Sequence, residues 1–254
     1  MVAVATCAFG QTTLGTNSIA DAFVTTGANG SLSSDNFGAA GALAVAAPGL
    51  PQGEFQTVLK FNLSQVTSSL NAIYGTGLWS VQSVTLNLTA SSHNNSIFNN
   101  IAAGNFNISL MQNNTWVEGT GTGGTPTTDG ISYDTLQSTY INNATDQPLG
   151  TFSFGGGSTG TASYSLTLSS GLVSDLLDGD DLSLRLFAAD NDVSYLFNSR
   201  QSGGLTGSPE LVIQAVPEPG TLALGALMLA AFSLWRLDKR QRARNKNNSR
   251  ASHP

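Results

Sequence analysis

The sequence has few of the residues on which catalytic and metal sites most often depend. Of 254 residues, one is cysteine and two are histidine. Cys7 alone cannot form an intramolecular disulfide, which excludes a small disulfide-stapled scaffold. His93 lies in an Asn- and Ser-rich segment with no nucleophile motif beside it, and the other histidine is the penultimate residue. The sequence therefore offers neither a Ser–His–Asp relay nor a histidine-based metal centre.

Charge is also scarce, at 10% of residues against the roughly 25% usual in soluble proteins. At 40% hydrophobic residues, the chain can still bury a core, so disorder is not expected. Fourteen acidic residues precede Pro217, against only three basic ones, Lys60, Arg185 and Arg200. An acidic body repels a phosphate backbone, which predicts no nucleic-acid partner for it.

The C-terminal tail contains the longest apolar run. The fifteen residues 221–235 carry no charge and as a helix would be about 22 Å long, somewhat short for a bilayer core of about 30 Å. A buried helix of the soluble domain is disfavoured because the segment has no polar face. The positive-inside rule instead predicts one transmembrane helix with the preceding chain outside the cytoplasm. The topology-determining cations are Arg236, Lys239, Arg240, Arg242 and Arg244.

Immediately before this segment stands the tetrapeptide Val216-Pro217-Glu218-Pro219. Two prolines exclude helix here and keep the chain extended, which predicts an open strip at the outer membrane face. The order of motif, short apolar helix and arginine-rich end, from Val216 to about Arg244, resembles the PEP-CTERM sorting signal of Gram-negative bacteria that make exopolysaccharide. In that family an exosortase, an integral-membrane cysteine protease or transpeptidase, recognises Pro-Glu-Pro. The resemblance implies that 216–219 is a substrate site, with exosortase and the inner membrane as partners.

Export requires a signal, and residues 1–16 look like an incomplete signal peptide. MVAVATCAFGQ contains an apolar run and small residues at a cleavage-like position, but it has no basic start. Two readings stay open: a true start further upstream, which we favour, or a weak signal peptide. A lipoprotein reading of Cys7 is disfavoured because Thr6 fits poorly before a lipidated cysteine.

The body, residues 17–215, alternates short β-type runs with turn-rich segments. Period-2 alternation is clear in 84–88, 164–168 and 182–186, and Ser170–Leu177 has helical spacing. Many short strands with long polar loops predict an all-β, jelly-roll-like β-sandwich. The predicted strands are Ala20–Val24, Thr57–Leu63, Ser80–Ala90, Phe106–Met111, Thr151–Phe154, Thr161–Ser169, Asp181–Ala188, Ser194–Ser199 and Glu210–Ala215.

Seven short motifs of the body, in order, resemble the DNRLRE-type domain, a β-sandwich of secreted and surface proteins that is also classed among carbohydrate-binding modules. The resemblance implies a sandwich fold and extracellular polysaccharide as a ligand class. The motifs are Asp21–Val24, Asn36–Gly38, Thr57–Leu63, Val84–Leu88, Trp116–Gly119, Phe197–Arg200 and Ser208–Ile213. Where the family commonly has a Thr-Trp-Asn-like segment, this chain has Ser132-Tyr133-Asp134.

Three side chains of the body are candidate glycan contacts: Trp116, Glu118 and Tyr133. An indole face stacks on sugar C–H groups and a carboxylate accepts hydroxyl protons. The alternative is that Trp116 caps the core while Glu118 ties down a loop, and we favour it. Asp190 and Asp192 are weak calcium candidates, since carboxylates suit that ion, but both are also ordinary turn residues.

The sequence favours a non-catalytic exported matrix protein over two alternatives. One alternative is a polysaccharide lyase or hydrolase of the biofilm matrix, and the other is a purely structural matrix protein. Lyase chemistry needs a cation to neutralise the carboxylate of an acidic sugar, and the body has only three.

Overall fold

The computed structural model describes residues 10–91, 97, 98, 100–202 and 207–218. It also describes a set of helical positions near the C-terminus, namely 220, 225, 228, 229, 231–233, 235, 236 and 239. Cys7 and His93 lie outside the described residues.

The described body is built from eleven strands. They are β1 Thr12–Asn17, β2 Ala20–Thr25, β3 Ala42–Ala46, β4 Phe55–Asn62, β5 Trp79–Thr89, β6 Gly104–Met111, β7 Gln147–Phe154, β8 Thr161–Leu166, β9 Asp181–Ala188, β10 Ser194–Asn198 and β11 Glu210–Pro217. The helical elements are a short turn Ala28–Gly30, α1 Ser64–Tyr74, α2 Tyr133–Thr135 continued by a π-helical turn Leu136–Tyr140, and α3 Ser170–Asp178.

The strands form two antiparallel sheets. The small sheet has the order β1-β11-β5-β8, and the large sheet has the order β10-β3-β4-β9-β6-β7, with β2 also paired to β4. One continuous hydrophobic cluster contains residues of both sheets, which therefore face each other as a sandwich. The prediction of an all-β sandwich body is confirmed.

Period-2 alternation decides which side chains enter this core. Val84, Leu86 and Leu88 of β5 are fully buried, as are Leu211 and Ile213 of β11, while the residues between them are at least partly exposed. Each such side chain contributes about 1.5–3 kcal/mol on burial. A one-residue slip of register would turn these leucines toward solvent, so the hydrophobic pattern fixes the pairing.

Helix α3 begins and ends where its capping residues predict. The Ser169 side chain accepts a hydrogen bond from the Leu172 N–H, and Gly179 adopts the left-handed conformation (φ 77°) that ends the helix. Leu172 and Leu176 are buried on one face. The predicted helix Ser170–Leu177 is confirmed.

The folded body extends past both predicted boundaries. Strand β1 pairs residue by residue with β11, from Thr12 opposite Ala215 to Asn17 opposite Glu210. Residues 12–16 therefore belong to the small sheet, and the folded body begins before the boundary predicted at residue 17. At the other end, β11 continues through Pro217, two residues beyond the predicted end at 215.

Candidate functional site

A polar network joins β2, the loop after β6 and the segment after β10. Glu118 is its centre: its Oε1 accepts hydrogen bonds from the Asp21 N–H (3.0 Å), the Arg200 Nε (3.0 Å) and the Gln201 Nε2 (2.7 Å). Arg200 Nη2 also contacts Oε2, so the ion pair is bidentate. Arg200 in turn donates its backbone N–H to Asp21 Oδ2 (2.9 Å), which Ser18 Oγ also approaches at 2.9 Å. These five residues, together with Asn36, whose Nδ2 donates to the Glu118 carbonyl oxygen, are called the Glu118 network.

Asp21 is the buried carboxyl group of this network, with 0% of its surface exposed. Burial, together with the nearby Glu118 charge, raises its pKa to about 6, against the opposing effect of the Arg200 N–H and the Ser18 hydroxyl. Its Oδ1 has no hydrogen-bond partner among the described residues. A group so enclosed cannot contact a substrate, although it can make stability depend on pH.

Asp21 should make the free energy of unfolding fall as the pH rises from about 4 to about 6. The folded state holds the proton more tightly than the unfolded state, whose ordinary pKa is 3.8, so this contribution is complete below pH 3.8 and is lost as the pH passes about 6. The shift corresponds to about 3 kcal/mol. We expect Asp21→Asn, measured by urea unfolding at pH 4 to 7, to lose this slope relative to wild type. Parallel pH profiles for the two proteins would contradict the assignment.

Asn36 anchors the loop that carries Glu118. Its Nδ2 donates to the backbone oxygens of Glu118 (2.6 Å) and Ile131 (2.8 Å), and its Oδ1 accepts from the N–H groups of Gly38 (3.2 Å) and Gly121 (3.1 Å). Asn36 is completely buried. A Cβ on Gly121 would lie 1.9 Å from the Asn36 carbonyl oxygen, so only glycine allows the loop to approach this closely.

Trp116 is part of the core and not a sugar platform. Its side chain is 1% exposed, and its Nε1 donates to the buried Ser183 Oγ (2.9 Å). The Lys60 ammonium lies 4.6 Å from the ring centroid and donates to the Trp116 carbonyl oxygen (2.8 Å). Stacking on a sugar requires an open ring face, which Trp116 does not offer, so the structure agrees with the favoured alternative, in which Trp116 is a core residue, and not with a glycan contact.

Tyr133 is also engaged inside the protein. It is half-buried and packs against the same hydrophobic cluster as Trp116, and its hydroxyl donates to Glu54 Oε2 (2.7 Å). Burial, and then the bond to Glu54 and its charge, raise the pKa of this phenol. Within the described part of the chain, no hydrogen bond joins Tyr133 to Trp116 or to Glu118. The three candidate glycan contacts therefore do not form a shared binding surface.

Asp190 caps the turn between β9 and β10. Its Oδ1 accepts from the N–H groups of Asp192 (3.0 Å) and Val193 (2.9 Å), and its Oδ2 accepts from the Asn105 N–H. Burial acts to raise the pKa of Asp190, but these backbone N–H groups outweigh it and lower the pKa. Among the described residues, no three His, Cys, Asp or Glu side chains are grouped so that they could hold a metal ion.

The predicted sorting motif continues the last strand. Val216 pairs with Ser80 and Pro217 with Trp79, and the Glu218 N–H donates to the Leu78 carbonyl oxygen (3.0 Å). The extended conformation predicted here is confirmed for Val216 and Pro217, but the open strip is a wrong prediction because β5 pairs with these residues. Pairing of β11 with β1 stops at Ala215, so the edge beyond it tolerates a proline that has no N–H.

The predicted transmembrane segment, 221–235, lies mostly outside the described residues, together with Pro219, Arg240, Arg242 and Arg244. Its described positions are helical. The Arg236 guanidinium lies 5.0 Å from the Phe232 ring centroid, and the Lys239 ammonium 4.5 Å from that of Trp235. In the described part of the chain, no helix combines the length and the apolar character needed to cross a bilayer.

The Glu118 network unites residues of motifs that are far apart in sequence. Asp21 and Arg200 are 179 positions apart, and Asn36 and Glu118 are separated by 82. These contacts bring the separated motifs together in one structural joint. The joint holds the 117–131 loop against the sandwich. No protein-family model matches the chain, and the search of curated proteins found no match to it.

Proposed function

We propose that this chain is a non-catalytic extracellular protein of a Gram-negative bacterium, sorted through its C-terminal tail. A jelly-roll-like sandwich lies outside the cytoplasm, and residues 221–235 anchor it transiently in the inner membrane. An exosortase cleaves at Val216–Pro219, after which the body contributes to a polysaccharide-rich matrix at the cell surface or in the medium. The observation that carries this proposal is the order of parts, in which the last strand runs directly into the Pro-Glu-Pro motif, an uncharged apolar segment and a basic end.

The short distance between fold and anchor supports this arrangement. Strand β11 ends at Pro217, and the apolar segment begins at residue 221. The three intervening residues reach at most about 11 Å. A processing enzyme in the membrane would thus meet the motif close to the bilayer surface. It would have to separate Pro217 from β5 and Glu218 from Leu78 to hold both as an extended substrate.

We propose that the body is not catalytic because all three of its cations make internal contacts. Lys60 is held by the Trp116 carbonyl oxygen, and Arg200 is paired with Glu118. Arg185 donates to Gln56 Oε1 (2.7 Å) and lies 4.2 Å from the ring centroid of Phe187. Cations committed to internal contacts are poorly placed to neutralise the carboxylate of an acidic sugar. New reducing ends, released from polysaccharide by the purified protein, would contradict this part of the proposal.

The sorting proposal is tested by replacing the motif in the full-length chain, expressed in an exosortase-containing host. We expect the triple variant Pro217→Ala, Glu218→Ala and Pro219→Ala to stay uncleaved in the inner membrane fraction, while wild type is processed. Glu210→Ala, at the start of the same strand, is the matched control and should mature normally. Immunoblots of inner-membrane, outer-membrane and medium fractions measure both. Normal maturation of the triple variant, or uncleaved wild-type protein in the cytosol, would contradict the proposal.

A further inference from the structure

We propose that a cavity beside the end of β6 binds an uncharged, hydroxyl-rich ligand, a segment of neutral polysaccharide. The inference rests on the proposed function, which it deepens by naming a site and a ligand class. The cavity is about 420 Å³, within the range of small-molecule sites. It lies between residues 112–115, which follow β6, and residues 139–145, which include the end of the π-helical turn. We call it the amide cavity. Its lining residues are Gln112, Asn113, Asn114, Thr115, Thr139, Tyr140, Asn142 and Thr145.

The lining has a single chemical character. Four of its side chains are amides, three are threonine hydroxyls and one is a phenol, so none is charged and none is aliphatic. Amides offer donors and acceptors together, and hydroxyls can act as either. A polyol presents the same mixture of donors and acceptors, whereas an apolar ligand would leave these groups without partners. A carboxylated or phosphorylated ligand would find no cation among the lining residues.

The two walls of the cavity are fixed before any ligand arrives. Asp146 joins them, since its Oδ1 accepts from the Gln112 N–H (3.1 Å) and its Oδ2 from the Asn142 N–H (2.9 Å). Asn113 Oδ1 holds the Thr115 N–H (2.9 Å) and hydroxyl (2.7 Å). A preorganised wall loses little entropy on binding, which favours a weakly interacting ligand such as a neutral sugar.

Several polar groups of the lining are left for a ligand. Among the described residues, no hydrogen bond engages the Gln112 amide or the Tyr140 hydroxyl. Tyr140 packs partly against the hydrophobic cluster around Trp116, which holds its ring in place. The Asn114 side chain is fixed in the wall of the cavity, because its Nδ2 donates to the Asp181 carbonyl oxygen (2.6 Å). An aromatic ring beside an amide that has no other hydrogen bond is a combination suited to a sugar ring and its hydroxyls.

The chemistry of the surrounding body argues for a neutral ligand over an anionic one. Up to Val216, fourteen acidic residues face three basic ones, so the field around the cavity repels uronic acids and phosphates. The Asp146 carboxylate is occupied by two backbone N–H groups, so it stabilises the walls of the cavity. The site is therefore expected to distinguish neutral from acidic polysaccharides.

The test is affinity electrophoresis of the full-length chain, kept in a carbohydrate-free detergent, through gels that contain dextran, galactomannan, hydroxyethyl cellulose or alginate. We expect at least one neutral polysaccharide, and not alginate, to retard wild type. Gln112→Ala and Tyr140→Phe should each weaken retardation about tenfold, because each removes a hydrogen bond to the ligand, and Tyr140→Phe does so while keeping the ring. Gln82→Ala, an exposed glutamine on the small sheet, is the matched control and should bind like wild type.

The outcomes separate the site from the function on which it rests. Retardation by a neutral polysaccharide that is unchanged in Gln112→Ala and Tyr140→Phe would overturn the amide cavity while leaving glycan binding in place. No retardation of wild type by any neutral polysaccharide, or retardation by alginate alone, would overturn the site and its ligand class. Processing at Val216–Pro219 is measured separately, so neither result bears on sorting.

Discussion

Replacing Trp116 with alanine is expected to lower the free energy of unfolding by about 3–5 kcal/mol. Among the described residues, Trp116 is the largest fully buried side chain, and its removal leaves a cavity between β4, β9 and the loop after β6. The change also leaves Ser183 Oγ without its donor and removes the ring under the Lys60 ammonium. Urea unfolding followed by circular dichroism measures the loss, since Trp116 is one of only three tryptophans that fluorescence would report.

Trp116→Phe separates packing from hydrogen bonding. Phenylalanine keeps an aromatic ring in the core but cannot donate to the buried Ser183, so we expect a loss of about 1–2 kcal/mol, well below that of Trp116→Ala. If Trp116 were a surface platform for sugars, Trp116→Ala would leave stability nearly unchanged and remove only binding. A loss of less than about 1 kcal/mol in Trp116→Ala would therefore contradict the buried position.

The strands that the sequence predicts well are those whose two faces differ. In β5, β9 and β11, alternation of leucine, isoleucine and valine with polar residues indicates both the strand and its buried face. Strand β3 was missed because all five residues of ALAVA are buried, which leaves no alternation to detect. Helix α1 was missed for a different reason: it is rich in Ser, Thr and Asn, and only Val66, Thr67 and Leu70 are buried. Tertiary contacts, more than local propensity, select these two elements.

The Glu118 network could be predicted only in part. Asp21 carries a readable signal, because a carboxylate at the head of the buried run Asp21–Val24 must find partners or change its pKa. Asn36 carries no comparable signal, since asparagine is common in turns and all its partners in the 117–131 loop lie more than 80 positions away along the chain. The amide cavity was missed for the same reason, because its two walls come from separate segments that only the fold brings together.

Asn36→Ala is expected to cost about 3–5 kcal/mol, far more than a turn asparagine usually contributes. The substitution removes both donors to the Glu118 and Ile131 carbonyl oxygens and the acceptor for the N–H groups of Gly38 and Gly121. These groups are enclosed by the loop, so water replaces their lost partner poorly. Asn105→Ala is the matched control: Asn105 is exposed on β6, and its side chain accepts from Ser153 at the surface, so its loss should stay below about 1 kcal/mol.

Limited proteolysis in sub-denaturing urea shows where the lost stability of Asn36→Ala resides. The 117–131 loop contains no strand, and Asn36 joins both of its ends to the sandwich. Once that joint is absent, the loop should open locally at a smaller free-energy cost than global unfolding, so it is cut first while the sheets stay protected. Cleavage mapped by mass spectrometry to 117–131 in Asn36→Ala, and not in Asn105→Ala, is the expected pattern. Cuts spread evenly over the strands would mean instead that Asn36 supports the whole sandwich, and that the Glu118 network is not a separable joint.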